Sequence, residues 1–523
     1  MMRLGEVARE IPGDTEISGD AGVMIRGVHH DSRRVEPGDL FVARAGQAAD
    51  GRKFIGAALA KGAVAVLAGR DADLGDLDET GVPVLRCADV ASGLAYSAAA
   101  VYGHPSFALE VVGITGTNGK TTTAHLVQSA VDGALGAPRC GTIGTVGHRF
   151  GELFLPAEHT TPEADEIARL LARMRRAGAS HVAMEVSSIA LELGRVRAVR
   201  FRVAAFTNLT QDHLDFHGTM ENYGDAKKLL FTRGAAGAAV VHVGDPFGRA
   251  LADMVETPLV RVSARTDVVA DIYPRAVESS ARGIVATLVT PVGELVLRSR
   301  LVGIHNLENL VVALGVAHVL EIDLAKAAAA LGASGSAPGR LERCDGEGDD
   351  LTVLVDYAHT PDALARVLDA TRPRQGSPGS PSGAKLWCVF GCGGDRDPSK
   401  RDAMGRAVAE RADVAIITSD NPRTEDPADI AAPVEAAVRD VLGKRGQRNQ
   451  PTGSSARYLV ELDRAAAIDQ AIAGAAPGDV VVIAGKGHED YQIVGTEKRH
   501  FDDREEARRA LGVRRGATRS GRA

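Results

Sequence analysis

No stretch of this 523-residue chain approaches the ~20 consecutive apolar residues that a bilayer-crossing helix needs, and its first thirty residues carry acidic side chains and no long apolar run. Membrane insertion is therefore not expected, and a cytoplasmic location is. A surplus of positive charge is also missing. With a formal net charge of -7 the chain does not offer the basic surface that neutralising a phosphate backbone requires, so no nucleic-acid partner is expected. Local patches can still bind small anions. Cysteine is scarce and odd in number (Cys87, Cys140, Cys344, Cys388, Cys392), which favours a reducing compartment over a disulfide scaffold. Cys388 and Cys392 have no second ligand pair near them in sequence, and a metal reading is set aside. What is present is ordinary for a globular protein: 45% hydrophobic and 25% charged residues, over a length too great for a single core. Two to four domains are expected.

Three regions separate on pattern. Up to about Pro105, short apolar runs such as "GDLFVA" and "AVAVLAG" alternate with turns and read as a small α/β domain. The second region opens with the strand "ALEVVGIT", a glycine turn, and a helix from about Gly119 in which Leu126, Val127, Ala130 and Val131 share a face. Strand-like segments follow at "HVAMEV", "VAAFTNL" and "AAVVHVG". "ATLVTPVGELVLRSRLVG" reads as a hairpin or pair of strands, and "HNLENLVVALGVAHVL" as a helix. Glycine, serine and proline cluster around "SGSAPGRLER", marking a boundary near Ala337. The third region repeats strand, polar turn and amphipathic helix, with strands "LTVLVDY", "KLWCVFG", "DVAIITSD" and "DVVVIAG". Such alternation implies a parallel sheet covered by helices, with ligands beyond the carboxyl ends of its strands. "DYAHTPD", "GCGGDRD", "SDNPRTEDP" and "GKGHED" would then share one rim. "RPRQGSPGSPSGA" and "KRGQRNQPTGSS" read as flexible insertions, and the basic end "GVRRGATRSGRA" as a disordered tail. The expected domains are 1–106, 107–337 and 338–512, with the tail over 513–523.

The stretch "EVVGITGTNGKTTTAHLVQ", Glu110 to Gln128, departs from the usual phosphate-loop spacing. Ile114 stands where the first glycine is expected, and glycines fall at Gly113 and Gly116. The turn nevertheless follows a strand and opens a helix, so its amides and the positive helix end converge where a phosphate can sit. Lys120 adds a mobile charge for the outer phosphates, and the Thr121 hydroxyl can reach a magnesium ion. A connecting turn alone would not explain a lysine and three threonines at a helix start.

The form "GTNGKTT" is similar to the loop of the Mur ligase family, and further segments extend the resemblance over nearly the whole chain. "HTTPEA" (159–164), "MEVSS" (184–188), "FTNLTQDHLDFHG" (206–218), "HNLEN" (305–309), "PGRLE" (338–342) and "DYAHTPD" (356–362) occur in the family's order. "DNPR" and "GKGHE" resemble the branch that adds diaminopimelate to a UDP-muramoyl dipeptide, UDP-N-acetylmuramoyl-L-alanyl-D-glutamate. The resemblance implies an α/β fold of three domains: a small N-terminal α/β domain that binds the UDP substrate, a central P-loop ATPase-type parallel sheet with helices, and a C-terminal Rossmann-like α/β domain that binds the amino acid. It also implies an ATP-dependent ligase of peptidoglycan biosynthesis, in which ATP phosphorylates the acid and the amine attacks the acyl phosphate, releasing ADP and phosphate.

The site residues implied by the resemblance follow position by position. Gly116, Thr117, Asn118, Gly119, Lys120, Thr121 and Thr122 form the ATP loop, with Asn306, Asn309, Arg340 and Asp356 as further ATP contacts. Asparagines at a helix start are also common caps. Mg2+ would be served by Thr121, Glu185, His213 and Lys227. An ammonium cannot ligate a metal, and the matching family lysine is carbamylated by carbon dioxide, which requires its neutral amine. Lys120, Glu185, His213 and carbamylated Lys227 are thus the expected catalytic set. Ser32 in "HHDSRR" matches the uridine-binding turn, and Thr160, Thr161, Ser187 and Arg195 the peptide-binding positions. The neighbouring His29 and His30 read as structural, since adjacent residues on a strand face opposite ways. Arg396, Asp420, Asn421, Pro422, Arg423, Gly485 and Glu489 would bind diaminopimelate, Arg423 gripping the distal carboxylate that lysine lacks. Arg340 and Asp356 come from the third region, which implies closure of one domain on another. Other cell-wall enzymes are further candidate partners.

Two positions depart from many relatives: Ile189 stands where histidine follows "EVSS", and Leu193 where some members carry a glutamine that contacts substrate. A folate-polyglutamylating ligase shares the ATP loop but should lack "TTPE", "DNPR" and "GKGHE" together. A nucleotide-driven switch would need no amine acceptor, and no guanine-reading Asn-Lys-x-Asp follows the loop.

Overall fold

The computed structural model describes residues 1–44, 50–75, 77, 80–280, 283–346, 348–373, 383–448 and 457–520. Of the two stretches expected to be flexible insertions, 374–382 and 449–455 lie outside the described residues. The chain divides into two compact units, one formed by Met1–Pro274, Leu288–Leu295 and Glu308–Leu331, the other by Arg275–Thr287, Val296–Leu307 and Gly332–Ala523.

Two sheets dominate the first unit. The smaller has the order Thr15–Ser18, Val84–Cys87, Ala65–Gly69, Leu40–Val42, Val28–His29, parallel except for its first strand. The runs "GDLFVA" and "AVAVLAG" supply two of these strands, as expected. The helix Val90–Val101 starts where the Asp89 carboxylate accepts from the amides of Ala91 and Ser92, satisfying orphan donors of its first turn. Its Leu94 and Ala98 pack with Leu40, Leu67 and Leu85 of the sheet.

The larger sheet has eight strands in the order Leu153–Leu155, Gly147–Phe150, Cys140–Gly144, His181–Glu185, Glu110–Thr115, Phe201–Phe206, Ala236–His242, Leu259–Val262. Its six last-named strands run parallel, and a hairpin closes one edge. Continuous apolar runs such as "EVVGIT" and "FRVAAF" are what strands covered on both faces require. On one face Val111, Val182, Met184 and Phe206 pack with Ile167, Leu171 and Met174 of the helix Ala164–Arg176. The helix Lys120–Leu135 buries Leu126, Val127, Ala130 and Val131, the face read from its spacing. Each fully buried valine or leucine of this kind is worth ~1.5–3 kcal/mol relative to exposure. Farther along, "ATLVTPVGELVLRSRLVG" supplies two strands of a three-stranded sheet, Tyr273–Ser280, Gly283–Thr290, Gly293–Ser299, and the helix Ile304–Val319 follows.

A six-stranded sheet organises the second unit, in the order Glu342–Arg343, Thr352–Asp356, Val480–Ala484, Leu386–Phe390, Val414–Ile417, Arg457–Val460. All but the first strand are parallel. Arg457–Val460 escaped the sequence reading because it is an edge strand whose Leu459 and Val460 are exposed, so it lacks a buried apolar run. The expected disordered tail is corrected: a helix runs over Asp503–Ser520. Ala507, Ala510 and Leu511 are buried, and Arg514 is held by Asp350 at 2.8 and 2.9 Å and by the carbonyls of Ile472 and Ala475. Basic composition here marks paired arginines rather than a solvated coil.

Candidate functional site

The phosphate loop rests on the end of the strand Phe201–Phe206. Thr117 donates its amide to the Asn208 carbonyl at 2.8 Å, Asn118 donates to Asn208 Oδ1 at 3.0 Å, and Thr207 Oγ1 donates to the Asn118 carbonyl at 2.7 Å. Gly116 and Gly119 adopt positive φ of 152° and 86°. A Cβ at Gly116 would collide with Thr207 Oγ1, and one at Gly119 with Asn309 Oδ1, so close approach as well as conformation demands glycine at both. The displaced glycine is explained by this path: Ile114 belongs to the buried strand Glu110–Thr115, and the turn begins at Gly116. Lys120 Nζ donates to the carbonyls of Gly116 and Thr117 at 2.8 and 2.9 Å, which places its charge across the loop. Thr122 is buried on the same first turn. Asn309 Oδ1 accepts from Thr123 Oγ1 at 3.2 Å.

Glu185 closes the strand His181–Glu185 and is 1% exposed. It accepts from Thr121 Oγ1 at 2.9 Å, from the Thr145 amide at 2.7 Å and from Thr145 Oγ1 at 3.2 Å. Thr145 Oγ1 in turn lies 3.1 Å from Thr160 Oγ1. Thr161 Oγ1 donates to the Glu185 carbonyl at 2.9 Å and accepts from the Ser187 amide at 2.9 Å. Arg195 spans the Thr161 carbonyl at 2.9 Å and Glu163 at 2.7 Å, and Glu163 also pairs with Arg44 at 2.9 Å. Thr121, Glu185, Thr160, Thr161, Ser187 and Arg195, expected as separate ATP, metal and peptide contacts, thus form one hydrogen-bonded chain. Thr145 was missed, although it directly follows the strand Cys140–Gly144, at the strand ends where ligands gather. Ile189, within the short helix Ser188–Glu192, and Leu193, which caps its end, are half-buried.

Lys227 is 1% exposed, donates to the Gly116 carbonyl at 3.0 Å and sits over the Tyr223 ring, 4.2 Å from its centroid. Burial, with the neighbouring Lys120 charge, pushes its pKa well below the usual lysine value, favouring the neutral amine. Tyr223 lies one helical turn before it and donates to Thr117 Oγ1 at 3.2 Å. His213 is exposed, 3.6 Å from Asp212, with its ring 6.1 Å from that of Tyr223. Among the described residues no group of three or more His, Cys, Asp or Glu side chains forms a metal cluster. The Thr121 hydroxyl and Glu185 carboxylate do form a pair of hard oxygen donors at the phosphate loop. That suits magnesium, which keeps waters and needs one or two protein ligands beside substrate phosphates.

Ser32 lies in the turn after the strand Val28–His29. This turn is tied to the helix Ala164–Arg176: His30 Nδ1 lies 2.9 Å from Asp165, His29 lies 3.1 Å from Arg169, and Arg34 pairs with Glu166 at 3.3 Å. The histidines are structural, but not by facing opposite ways. The strand ends at His29, and both rings reach the same helix.

In the second unit the strand-end turns share a rim. Asp356 accepts from the amides of Leu341 at 2.7 Å and Ala358 at 2.8 Å; burial raises its pKa against the opposing pull of Arg340. Arg340 stacks over Tyr357 at 4.7 Å, and Asn306 donates to the Val302 carbonyl at 2.8 Å. Arg423 takes a left-handed φ of 53°, and its Nη1 donates to the Gly394 carbonyl at 2.7 Å. Asn421 donates to Glu489 at 3.0 Å, and the Gly485 amide donates to the Asp356 carbonyl at 3.0 Å. The Pro422 carbonyl abuts Gly394, where a Cβ would collide with it. Lys486, inside the quoted "GKGHE", was missed as a site residue: it is fully buried and lies 3.5 Å from Asp420 and 3.7 Å from Glu489. Arg396 is exposed on the turn after Leu386–Phe390.

A glycine turn between a buried strand and a helix, with a lysine across it and a threonine–carboxylate pair beside it, defines a P-loop enzyme that acts on a nucleotide. The chain belongs to the Mur ligase family, whose members are ATP-dependent ligases that form amide bonds. Residues 24–102 match the Mur ligase family catalytic domain, 114–317 the Mur ligase middle domain, and 339–487 the Mur ligase glutamate ligase domain. The chain is 46% identical to the UDP-N-acetylmuramoyl-L-alanyl-D-glutamate--2,6-diaminopimelate ligase of Gloeobacter violaceus, covering 98% of this chain and 99% of that one. Its Synechocystis counterpart is 41% identical over 98% and 100%. A solved structure of a ligase of the same name is 32% identical, covers 98% and 99% of the two chains, and superposes with a TM-score of 0.70. Mycobacterium tuberculosis folylpolyglutamate synthase, 20% identical over 74% of this chain with a TM-score of 0.54, shares the fold. Among the described residues no helix is long and apolar enough to cross a membrane.

Proposed function

We propose that this ligase joins diaminopimelate to UDP-N-acetylmuramoyl-L-alanyl-D-glutamate in peptidoglycan biosynthesis, working in the cytoplasm on small-molecule substrates. Glu185 carries the reading, because its one carboxylate meets the phosphate loop through Thr121 and the Thr160 position through Thr145. That arrangement supports a reading in which the phosphate donor and the acid acceptor come to a single hydrogen-bonded chain. The full-length relatives of the same printed name support the substrate assignment.

The chemistry follows from these positions. Thr160, Thr161, Ser187 and Arg195 hold the peptide end of the nucleotide substrate, and the Ser32 turn holds its uridine. The loop amides and Lys120 take the phosphates of ATP, whose adenine and ribose fall to Asn306, Asn309, Arg340 and Asp356. Thr121 and Glu185 would hold a magnesium ion, with His213 and carbamylated Lys227 as the further ligands that the family resemblance implies, and the ion would supply charge neutralisation for the transferring phosphoryl group. The fit of Lys227 to that role lies in its burial, which lowers its pKa and so favours the neutral amine that reacts with carbon dioxide. Phosphoryl transfer asks chiefly for such positioning and charge neutralisation. Once the acid is an acyl phosphate, the amine of diaminopimelate attacks its carbonyl carbon; the C–N bond forms, the C–O bond to phosphate breaks, and orthophosphate leaves. Arg423 and Arg396 take carboxylate groups of the amino acid, with Asp420, Asn421, Pro422, Gly485 and Glu489 completing its site.

The test offers each diaminopimelate isomer and L-lysine in parallel with ATP and the UDP-dipeptide, reading the tripeptide by mass and ADP release with each substrate omitted. A UDP-tripeptide made only with diaminopimelate is expected. ADP release that continues without acceptor or amine would replace the ligase with a nucleotide-driven switch.

A further inference from the structure

We infer that Lys486 is a positioning residue of the amino-acid site, a buried cation that orients Asn421 and holds the Asp420 and Glu489 carboxylates ready for the ammonium group of the incoming amino acid. The inference rests on the ligation reading above and names a residue behind the binding surface.

Three contacts radiate from one side-chain nitrogen with no solvent exposure, whose charge burial disfavours and the Asp420 and Glu489 carboxylates support. Lys486 Nζ donates to Asn421 Oδ1 at 3.0 Å, faces Asp420 Oδ1 at 3.5 Å and faces Glu489 Oε2 at 3.7 Å. Asn421 Oδ1 also accepts from the Ile493 amide at 3.0 Å, so both its donors fix the amide's sense and turn Nδ2 toward Glu489 Oε2 at 3.0 Å. Lys486 therefore acts on Glu489 twice, by charge and through Asn421. Asp420 Oδ1 is buried with no hydrogen-bond donor among the described residues, so the Lys486 ammonium at 3.5 Å is a charge that offsets its burial.

Charge explains why a lysine is needed there. Two carboxylates converging on one pocket repel, and burial with the neighbouring Asp420 charge already raises the Glu489 pKa. Arg464, also fully buried in this unit, is committed: it pairs with Asp503 at 2.7 Å with both side chains fully buried, and donates to the carbonyls of Ser419 and Ala484. Without Lys486 one carboxylate would take up a proton or turn away, and the ammonium would lose an acceptor.

Steady-state kinetics of full-length Lys486→Met, Glu489→Gln and the double variant test this. Lys486→Met should raise KM for diaminopimelate about tenfold or more, the scale of one charge-assisted hydrogen bond, and leave KM for ATP and for the UDP-dipeptide within about twofold. The double variant should lose less than the product of the two single losses, because the part of the Lys486 effect that runs through the Glu489 charge is already gone in Glu489→Gln. Unchanged KM for diaminopimelate, an equal loss in every parameter, or multiplicative losses in the double variant would each overturn the inference. Should Lys486→Met fail to fold by circular dichroism, Glu489→Gln against the charge-balanced double variant decides. A wild-type enzyme that makes no tripeptide would overturn the ligation reading itself, a result its own control lane reports separately.

Discussion

Arg423→Ala isolates the group that separates diaminopimelate from lysine. The guanidinium spends one edge on the Gly394 carbonyl at 2.7 Å, and the backbone on either side is pinned by Arg423 N to the Ile493 carbonyl at 3.1 Å and by the Gly495 amide to the Arg423 carbonyl at 2.7 Å. Its Nε and Nη2 remain to grip a carboxylate with two parallel hydrogen bonds. Alanine has the same left-handed steric cost at φ 53° as arginine, so the substitution removes the side chain without changing the backbone preference. Truncating one partner of a hydrogen-bonded charge pair costs roughly 2–5 kcal/mol. The half-buried position, open to solvent screening, points to the lower part of that range, ~2–3 kcal/mol, or roughly 30- to 160-fold in kcat/KM. The assay measures kcat/KM for diaminopimelate and for L-lysine by phosphate release, with tripeptide mass as the check. Loss is expected for diaminopimelate alone, so that discrimination collapses. An unchanged ratio between the two amino acids would refute the role of Arg423, whatever happened to the absolute rates.

Other outcomes follow from the remaining contacts. Lys227→Arg should lose nearly all ligation, since a guanidinium stays charged and takes up no carbon dioxide; wild-type protein in labelled bicarbonate should show a carbamate carbon resonance that the variant lacks. Thr145→Val keeps the backbone bond to Glu185 but loses the two hydroxyl bonds to Glu185 and Thr160, which at roughly 1 kcal/mol per lost bond should lower kcat/KM by about thirtyfold, and a rate equal to wild type would remove Thr145 from the site. At His30, burial opposes the charge but the Asp165 hydrogen bond and charge outweigh it, raising the pKa above 6.5. The pair's stabilisation is therefore full below pH 6.5 and fades as pH rises through the raised folded-state value. The melting-temperature gap between wild type and His30→Gln should be wider at pH 6 than at pH 8, and a gap independent of pH would count against the pair.

How far the sequence could be read depended on how local each feature is. "GTNGKTT" was legible because a phosphate loop is built by contiguous residues: the strand, the positive-φ glycines, the lysine and the helix start follow one another along the chain. The parallel strands were legible for the same reason, since burial on both faces writes a continuous apolar run, whereas the exposed edge strand Arg457–Val460 left no such mark. The paired arginines of the final helix were read as a disordered tail because their partners, Asp350 for Arg514 and Asp349 for Arg515, lie 164 and 166 positions away.

Within the site the division is the same. The residue types alone determined that this chain handles a phosphate and which side chains are chemically fit to do so. Only the tertiary structure decided that Glu185 meets Thr121 and Thr145, that His30 meets Asp165 across 135 positions, and that Lys227 and Lys486 are buried while Lys120 bridges the loop. A lysine's identity does not set its charge state. Desolvation and neighbouring charges set it, and those are supplied by segments that come together only when the chain is folded.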